Sequence, residues 1–598
     1  MRGSTQSFLL IKKYFHTLLL LFALPANAQY YLRGEVKDEK NQPLPNVKII
    51  LLSNRYSYVS GASGGFGIST SNLYDSLFLA LEGYESKTVK VKCDQWQNLT
   101  LNVLPTKSSL NKPKLISVTK DLTRSTKVRW YIDEETYFQI VENEYVDAGR
   151  FPNTGFSLNV NKASYSNIRR FINGESPVPP DAVRTEELLN YFNLHYREPE
   201  NGNTFGMESQ LSSCPWDPEK QLLFLNVNAK KLDLEKIPPG NFVFLIDVSG
   251  SMDTPNKLPL LKAAFQMLVK NLRAKDTVSI VTYGGNVGIH LQPTSGAEKE
   301  KLISSIEELT ASGDTPGEAA ILTAYQLAEK TFIKNGQNRV ILATDGDFNV
   351  GITSEKALDD LITKERQTGV YLTCLGVGMG NFKDSKLETL AKRGNGNFAY
   401  LDDLVEAEKV LVKELTQTFY AVADDVSMNI QFNPKYVRSY RLIGFDNKRD
   451  AVADNAIDLE GGEIGSGNSV LAIFEIIPAS DALFNAIEAV SSDGVANATM
   501  QYSVYDDTTH RQMLMVCAPR SVDFKNLDKE LQFATAVTMF ALKLKQSKYI
   551  KEADWMDIEN IASSSYDPGS YLQTEFIALV GKAKKIYTGK KKNRRSAN

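Results

Sequence analysis

Three separate stretches of this 598-residue chain carry side-chain oxygens that could bind a metal ion. The apolar run NFVFLI leads into DVSGS, a second stretch reads ASGDTPGEAA, and a third reads TDGD. Carboxylate and hydroxyl oxygens are hard donors, which suit Mg²⁺ or Ca²⁺ better than zinc. Two carboxylates balance the charge of one divalent cation, because hydroxyls add no charge. The residue types therefore predict a Mg²⁺ or Ca²⁺ site with the ligands Asp247, Ser249, Ser251, Thr315 and Asp345.

Four further residues of the same stretches are expected to support this site. Gly250 is expected to let the first loop turn tightly enough to aim both serines inward. Three acids, Asp314, Glu318 and Asp347, add negative charge nearby. We expect these acids to contact the ligands or the solvent rather than the ion itself.

Two other interpretations of the serine-rich loop are a catalytic nucleophile and an ordinary polar turn. A nucleophilic serine needs a neighbouring base. Three histidines follow the predicted signal segment: His195, His290 and His510. None of them lies in a loop that follows a strand at the predicted sheet edge. An HExxH motif is also absent from the sequence. We therefore predict a protein that is not an enzyme, with a metal-dependent hydrolase as the less favoured alternative.

The apolar pattern around these loops predicts the elements that position them. Between residues 241 and 420, apolar strands such as TVSIVTYG and NRVILATDG alternate with amphipathic helices such as KLPLLKAAFQMLVKNL. This alternation predicts a doubly wound α/β domain, in which helices cover both faces of a parallel sheet. Ligands of such domains collect at the carboxyl ends of the strands, where Asp247 and Asp345 both stand.

The predicted site resembles that of a known family. DVSGS, the separated Thr315 and the aspartate of TDG are similar to the metal-ion-dependent adhesion site (MIDAS) of von Willebrand factor type A domains. The order of elements over 241–420 resembles that family as well. The resemblance implies a Rossmann-like, non-catalytic domain in which the ion, often magnesium, accepts a carboxylate from a protein partner. An alternative remains open, namely a structural envelope protein whose metal site is idle.

The first 105 residues predict an export signal and a small β-sandwich. Positive charge, a short apolar run and the sequence ANA (26–28) are typical of a signal peptide, 1–28. Short strands separated by Gly and Pro then predict a β-sandwich over 29–105. GEVKDEKNQPLPNVKIIL followed by GGFGI resembles the carboxypeptidase regulatory-like domain of exported bacterial proteins. We expect an exported protein of the periplasm or cell surface, with no transmembrane segment after signal cleavage.

The remaining segments predict domains on either side of the α/β domain, and they resemble the flanks of exported bacterial proteins built around it. Because type A domains begin and end close together, we predict that 205–235 and 421–520 form one β-sandwich interrupted by 241–420. The other predicted segments are a linker (106–135), a flanking domain before the α/β domain (136–240), a β-rich and helical flanking domain after it (421–585) and a basic tail (586–598).

Composition and cysteine spacing exclude several other classes of protein. A net charge of -3, with basic residues concentrated only near the C-terminus, predicts no nucleic-acid partner. The four cysteines lie far apart and form no CxxC pair, which excludes a zinc knuckle. Cys374 and Cys517 lie within apolar strand-like runs, so we expect both to be buried free thiols.

Overall fold

A computed structural model describes most of the chain, which folds as two compact units, residues 1–127 and 128–598. The predicted signal peptide, almost all of the predicted linker and most of the basic tail lie outside the described residues. The structure describes residues 30–102, 135–313, 317–346, 362–445, 462–479, 494–504 and 509–589. The exceptions within these ranges are the isolated positions 40, 55, 82–83, 139, 234, 285, 367, 380–381 and 551.

The first unit is a small β-sandwich, as the strand spacing predicts. Its two sheets have the strand orders β4-β1-β7 and β3-β2-β5-β6. Leu32, Ile49, Leu77 and Leu101 come from strands of both sheets and are buried in one shared core. The strands are β1 (Tyr30–Asp38), β2 (Lys48–Leu51), β3 (Ser57–Val59), β4 (Gly65–Thr70), β5 (Tyr74–Ala80), β6 (Lys87–Lys92) and β7 (Trp96–Leu101).

The second unit begins with short strands and two helices that precede the α/β domain. The helix α1 is amphipathic, and it buries Tyr165, Ile168 and Phe171 against the helices at the far end of the chain. The elements are β8 (Val146–Asp147), β9 (Asn153–Ser157), α1 (Ala163–Asn173), α2 (Thr185–Asn190), β10 (Phe205–Ser213) and β11 (Gln221–Ala229).

The α/β domain follows, and in the described residues its sheet has the strand order β14-β13-β12-β15-β16-β17. A π-helical turn, Lys409–Lys413, joins its last two helices. The elements are β12 (Gly240–Asp247), α3 (Leu258–Asn271), β13 (Thr277–Gly284), β14 (Asn286–Ser295), α4 (Lys299–Glu307), α5 (Gly317–Lys330), β15 (Gln337–Thr344), β16 (Tyr371–Val377), α6 (Asp384–Arg393), β17 (Phe398–Leu401), α7 (Leu404–Glu408) and α8 (Leu415–Phe419).

The central strand β12 is apolar throughout because helices cover both faces of the sheet. Phe244 points to one face and stacks on Phe265 of α3, with ring centroids 4.5 Å apart. Its neighbour Leu245 points to the other face and packs in a core with Ile321 of α5. Both faces of this strand are therefore buried, which explains why the apolar residues run consecutively instead of alternating.

One strand departs from the predicted parallel arrangement. The edge strand β14 runs antiparallel to β13, whereas the other neighbouring pairs of this sheet are parallel. β13 ends at Gly284 and β14 begins at Asn286, so the connection is a hairpin. Such a connection is far too short for the crossover that a parallel pair requires.

The chain after the α/β domain completes a β-sandwich and ends in helices. The α/β domain interrupts this sandwich as predicted, because β11 before the domain pairs with β21 after it, from Gln221 opposite Ile476 to Asn228 opposite Ser469. The elements are β18 (Ala421–Phe432), β19 (Val437–Ile443), β20 (Gly462–Gly465), β21 (Ser469–Pro478), β22 (Ala496–Val504), β23 (His510–Cys517), β24 (Ser521–Val522), α9 (Lys529–Leu544), α10 (Trp555–Ser565) and α11 (Tyr571–Gly589).

The C-terminal helix extends further than the sequence predicts. We expected the basic tail to begin at residue 586, but α11 continues to Gly589. Ile586 and Tyr587 pack against the helical core, and the Tyr587 ring stacks on Trp555 with centroids 5.5 Å apart. These apolar contacts extend the helix into the start of the basic segment. No helix in the described part of the chain is long and apolar enough to cross a membrane.

Buried arginines join the α/β domain to the flanking elements. Arg169 of α1 donates to Asp402 at 2.8 Å and to Glu406 at 2.7 Å, both at the start of the last helical segment of the α/β domain. The same guanidinium donates to Glu575 of α11 at 3.0 Å. In the sandwich, Glu463 forms an ion pair with Arg339 of β15. We call Arg169 and its three carboxylates the Arg169 cluster.

The cysteines are isolated from one another. Cys93, Cys214, Cys374 and Cys517 are all buried free thiols. The prediction for Cys374 and Cys517 is therefore confirmed. Burial raises the pKa of the Cys517 thiol to about 11 and raises that of Cys374 further, so both remain protonated near neutral pH.

Candidate metal centre

The first predicted ligand, Asp247, is the last residue of β12 and is fully buried. One carboxylate oxygen accepts the backbone N–H of Ser249 at 2.9 Å, which closes a tight turn directly after the strand. The other oxygen accepts the hydroxyl of Thr344 at 2.8 Å, across to the end of β15. The turn and the neighbouring strand together fix this carboxylate at the carboxyl edge of the sheet.

The hydroxyls of the first loop point toward the second carboxylate. The Oγ atoms of Ser249 and Ser251 lie 3.2 Å apart, and Ser251 Oγ donates to Asp345 Oδ2 at 2.9 Å. Asp345 directly follows β15 and is fully buried. The structure therefore brings four of the five predicted ligands together: Asp247, Ser249, Ser251 and Asp345.

The second predicted loop approaches the first through its backbone. Gly250 N–H donates to the Gly313 carbonyl at 3.0 Å, and Ser312 N–H donates to the Val248 carbonyl at 2.6 Å. The helix α5 then begins at Gly317. The predicted ligand Thr315 lies outside the described residues, as do Asp314 and Asp347, and the side chain of Glu318 is likewise not described.

The expected reason for a glycine at position 250 is wrong. Gly250 does not adopt a positive φ angle, and a Cβ added there would lie 3.7 Å from the Gly313 carbonyl oxygen, an ordinary contact. The residue contributes its backbone N–H to the contact between two loops. A true glycine requirement occurs at Gly346, where φ is +83° and a Cβ would lie 2.8 Å from the Lys383 nitrogen.

Sequence reasoning missed Lys257, which also belongs to this cluster. Its Nζ donates to Asp345 Oδ2 at 2.8 Å and to the Ser251 carbonyl at 3.0 Å. Only 9% of the side chain is exposed. The sequence holds one signal for this role, a lysine directly before the apolar helix LPLLKAAF and six residues after the last serine of the loop. A lysine at a helix start is so often solvated that the signal alone does not distinguish it.

Electrostatics favour a cation at this cluster. Burial raises the pKa of Asp247 to about 6, although hydrogen bonds from Ser249 and Thr344 oppose the shift, and the nearby charge of Asp345 adds to it. A raised carboxyl pKa means that the ionised form lacks sufficient compensation from its surroundings. A bound cation would supply that compensation.

The described donors fit a hard divalent ion. Ser249 Oγ, Ser251 Oγ and Asp345 Oδ2 form a row with separations of 3.2 and 2.9 Å. Ligand oxygens at about 2.1 Å from an octahedral Mg²⁺ lie about 3.0 Å from their neighbours. The cluster contains oxygen donors from carboxylates and hydroxyls, which is the chemistry that Mg²⁺ and Ca²⁺ select.

Sequence comparison finds four family matches along the chain. The two that cover the α/β domain and the segment after it are the von Willebrand factor type A domain, residues 241–415, and the C-terminal region of uncharacterized protein YfbK, residues 417–586. The segment before the α/β domain matches von Willebrand factor over 131–224, and the first unit matches the CarboxypepD_reg-like domain over 32–115. Fold and matches together define a von Willebrand factor type A protein with an N-terminal carboxypeptidase regulatory-like domain.

The particular family follows from a long match to one bacterial protein. The chain is 35% identical over 461 residues to uncharacterized protein YfbK of Escherichia coli K12, a match that covers 74% of this chain and 80% of YfbK. The chain therefore belongs to the YfbK family. Type A domains in general are metal-dependent protein-interaction modules that typically bind a divalent ion.

More distant relatives share only part of the chain. The magnesium-chelatase 67 kDa subunit of Chlorobaculum parvum is 22% identical over 248 residues, which covers 37% of this chain and 39% of the subunit. Among solved structures, a von Willebrand factor type A protein from Catenulispora acidiphila is 13% identical, with a TM-score of 0.35, over 66% of this chain and 89% of that one.

Proposed function

We propose that this protein is a non-catalytic, divalent-cation-dependent binding protein of the cell envelope, which captures an acidic group of a protein partner. The observation that carries the proposal is the meeting of Asp247, Ser249, Ser251 and Asp345 in one cluster at the carboxyl edge of the sheet. The binding would serve adhesion or the assembly of a complex.

The ligands of the proposed site, a MIDAS, are these four residues together with Thr315. The ion, Mg²⁺ or Ca²⁺, would supply a Lewis acid to which a carboxylate of the partner binds. The protein residues would hold that ion and would limit its access to water, because Asp247 and Asp345 are fully buried and Ser249 is 3% exposed. A buried charge attracts an oppositely charged ligand more strongly than an exposed one.

The positions of the histidines support binding rather than hydrolysis. His290 Nε2 contacts the Ser305 carbonyl at 2.8 Å, and His510 Nδ1 contacts the Ser503 hydroxyl at 3.2 Å. The remaining histidine of the described chain, His195, contacts Glu208 at 3.1 Å. Each of the three is thus engaged with other residues, which leaves Ser249 and Ser251 without a histidine base.

The proposed location is outside the cytoplasm, in the periplasm or at the cell surface. Two features support it: the signal-like segment at residues 1–28 and the carboxypeptidase regulatory-like domain that follows. A partner in that compartment would meet the site directly.

A metal titration of the full chain tests the proposed function. Mg²⁺ or Ca²⁺ at one hundred times its Kd should stabilise the folded protein by about 2.7 kcal/mol and raise its Tm. Asp247→Asn should remove this shift, whereas Asp253→Asn, which changes an exposed acid of the same loop, should retain it. A chelator should also release an acidic partner from the wild type in a pull-down.

A second candidate is a structural envelope protein whose metal site is idle. One observation favours it: the Lys257 ammonium already lies 2.8 Å from Asp345 and compensates part of the negative charge. If the wild type shows no Tm shift at millimolar Mg²⁺ or Ca²⁺, this candidate replaces the first.

A further inference from the structure

Lys257 places an ammonium group in the proposed metal centre. Its ammonium lies 2.8 Å from Asp345 Oδ2, the same oxygen that accepts the Ser251 hydroxyl at 2.9 Å. With 9% of its side chain exposed, this lysine is held inside the cluster rather than extended into solvent. Burying an ammonium is unfavourable unless a specific contact compensates it, so its position calls for an explanation.

The backbone around Lys257 is fixed on both sides. Its N–H donates to the Thr254 carbonyl at 3.0 Å, and its own carbonyl accepts from Leu261 N–H at 2.9 Å as α3 begins. The side chain therefore starts from a defined point at the edge of the metal centre. A defined start matters because a free lysine has many rotamers and would lose entropy on reaching Asp345.

A glycine in a third loop makes room for the lysine stem. Gly378 follows β16 with a φ angle of +85°, and a Cβ added there would lie 2.4 Å from Lys257 Cε. The stem therefore passes across a position that favours glycine, because a side chain there would displace the lysine stem and would be strained at this φ. Three parts of the chain thus converge to place one ammonium beside Asp345.

The charge of the described cluster follows from this arrangement. Asp247 and Asp345 contribute two negative charges and Lys257 one positive charge, which leaves a net charge of -1. A divalent ion changes this value to +1. Without the lysine, the same ion would leave these groups neutral. Whatever further charges lie nearby, the lysine makes the potential at the ion more positive, which weakens the binding of a cation and strengthens the binding of an anion.

We infer that Lys257 couples the metal ion to the acidic partner. The lysine opposes the divalent ion while the partner is absent, and it adds to the attraction for an anionic group once the ion is bound. The inference rests on the proposed function, and it favours a charged carboxylate as the partner's contact group, because a full negative charge gains more from the ammonium than a neutral amide or carbonyl does. By linkage, each ligand must raise the affinity for the other by the same factor.

Calorimetry of Mg²⁺ binding to the full chain tests this coupling, with acetate as the probe for the carboxylate at constant ionic strength. Lys257→Met keeps an unbranched stem against Gly378 and removes the charge. In the absence of acetate, Lys257→Met should bind Mg²⁺ about tenfold more tightly than the wild type. Acetate should then tighten Mg²⁺ binding by a larger factor in the wild type than in the variant.

Two further variants control the experiment. Lys270→Met removes the same charge at the opposite, exposed end of α3, about 20 Å away along the helix, and should bind like the wild type. Lys257→Arg keeps the charge and should retain the effect of acetate, which tests the coupling if Lys257→Met does not fold. Near-ultraviolet circular dichroism without metal checks the fold of each variant.

The outcomes separate this inference from the proposed function. If the wild type binds Mg²⁺ and Lys257→Met binds it equally or more weakly, the coupling is refuted while the metal site stands. If only Lys257→Met binds, the opposing role of the lysine is supported and the proposed function is refuted. Absence of binding to either protein refutes both. An equal effect of acetate on the two proteins also refutes the coupling.

Discussion

The candidate metal centre and the Arg169 cluster are both groups of largely buried carboxylates, but they differ in how their charge is compensated. Arg169 donates to Asp402, Glu406 and Glu575, so one guanidinium serves acids from two helical segments. In the metal centre, the described hydrogen-bond donors to Asp247 are uncharged, namely the Ser249 N–H and the Thr344 hydroxyl. Each carboxylate of the first cluster thus contacts a guanidinium, whereas in the described residues Asp247 accepts from uncharged donors.

We expect this difference to separate a structural role from the proposed binding role. A buried ion pair contributes little net stability over an apolar pair, but loss of one partner is strongly destabilising. An incompletely paired acid destabilises the folded protein and at the same time creates affinity for an external cation. We therefore expect substitutions in the two clusters to change stability in opposite directions.

The largest expected effect is at the Arg169 cluster. Arg169→Met leaves three carboxylates without their guanidinium and should lower the free energy of unfolding by about 3–5 kcal/mol, measured by urea denaturation without metal. Arg197→Met is the matched control, because Arg197 is 50% exposed and pairs with partly exposed acids. That control should lose less than about 1 kcal/mol. Equal losses in the two variants would contradict the comparison.

A smaller effect of opposite sign is expected at the metal centre. Without metal at pH 8, Asp247→Asn should raise the free energy of unfolding by about 1–2 kcal/mol, because it removes an incompletely compensated buried charge and keeps the amide's hydrogen-bonding capacity. The paired acid Glu475 is fully buried, contacts Arg441 at 2.6 Å and has a lowered pKa because of Arg441 and Lys220, so it provides the contrast. Glu475→Gln should lower stability by about 2–3 kcal/mol in the same urea measurement. Destabilisation by both changes would refute the distinction between the clusters.

The smallest effect is expected at His195 and the partly exposed acids around it, whose charges are screened by water. Glu530 raises the pKa of His195, with smaller contributions from Asp528 and Glu208. A raised folded-state pKa gives stability that is present below about pH 6.5 and is lost as pH rises through the higher value. The wild type should therefore lose up to about 1 kcal/mol between pH 5.5 and pH 8.5 relative to His195→Gln.

Urea denaturation at the two pH values measures this change. High salt should reduce it, because exposed charges are screened at short distances. The Arg169 cluster should be nearly insensitive to the same salt, since Arg169 is 1% exposed. If the wild type and His195→Gln show the same pH dependence, His195 contributes no pH-dependent stability.

Local sequence patterns predicted the sheet and the position of most of the candidate site. Consecutive apolar residues in NFVFLI reveal a strand with both faces covered, and Asp247 at its end must lie at the carboxyl edge. The same reasoning places Asp345 after β15. These features follow from short-range periodicity and from the rule that parallel strands end at one edge. The exception, β14, ran antiparallel because its connection was too short for a crossover.

The sequence by itself therefore determined the strands, their covered faces and the oxygen donors at their ends. The tertiary structure alone decided which charges compensate each other. Lys257 reaches Asp345 across 88 residues of chain, and Arg169 reaches Glu575 across 406. No local pattern specifies such pairs, because their partners become neighbours only when separate elements pack. Glycines such as Gly378, which makes room for the lysine stem, are recognised as necessary only once that packing is known.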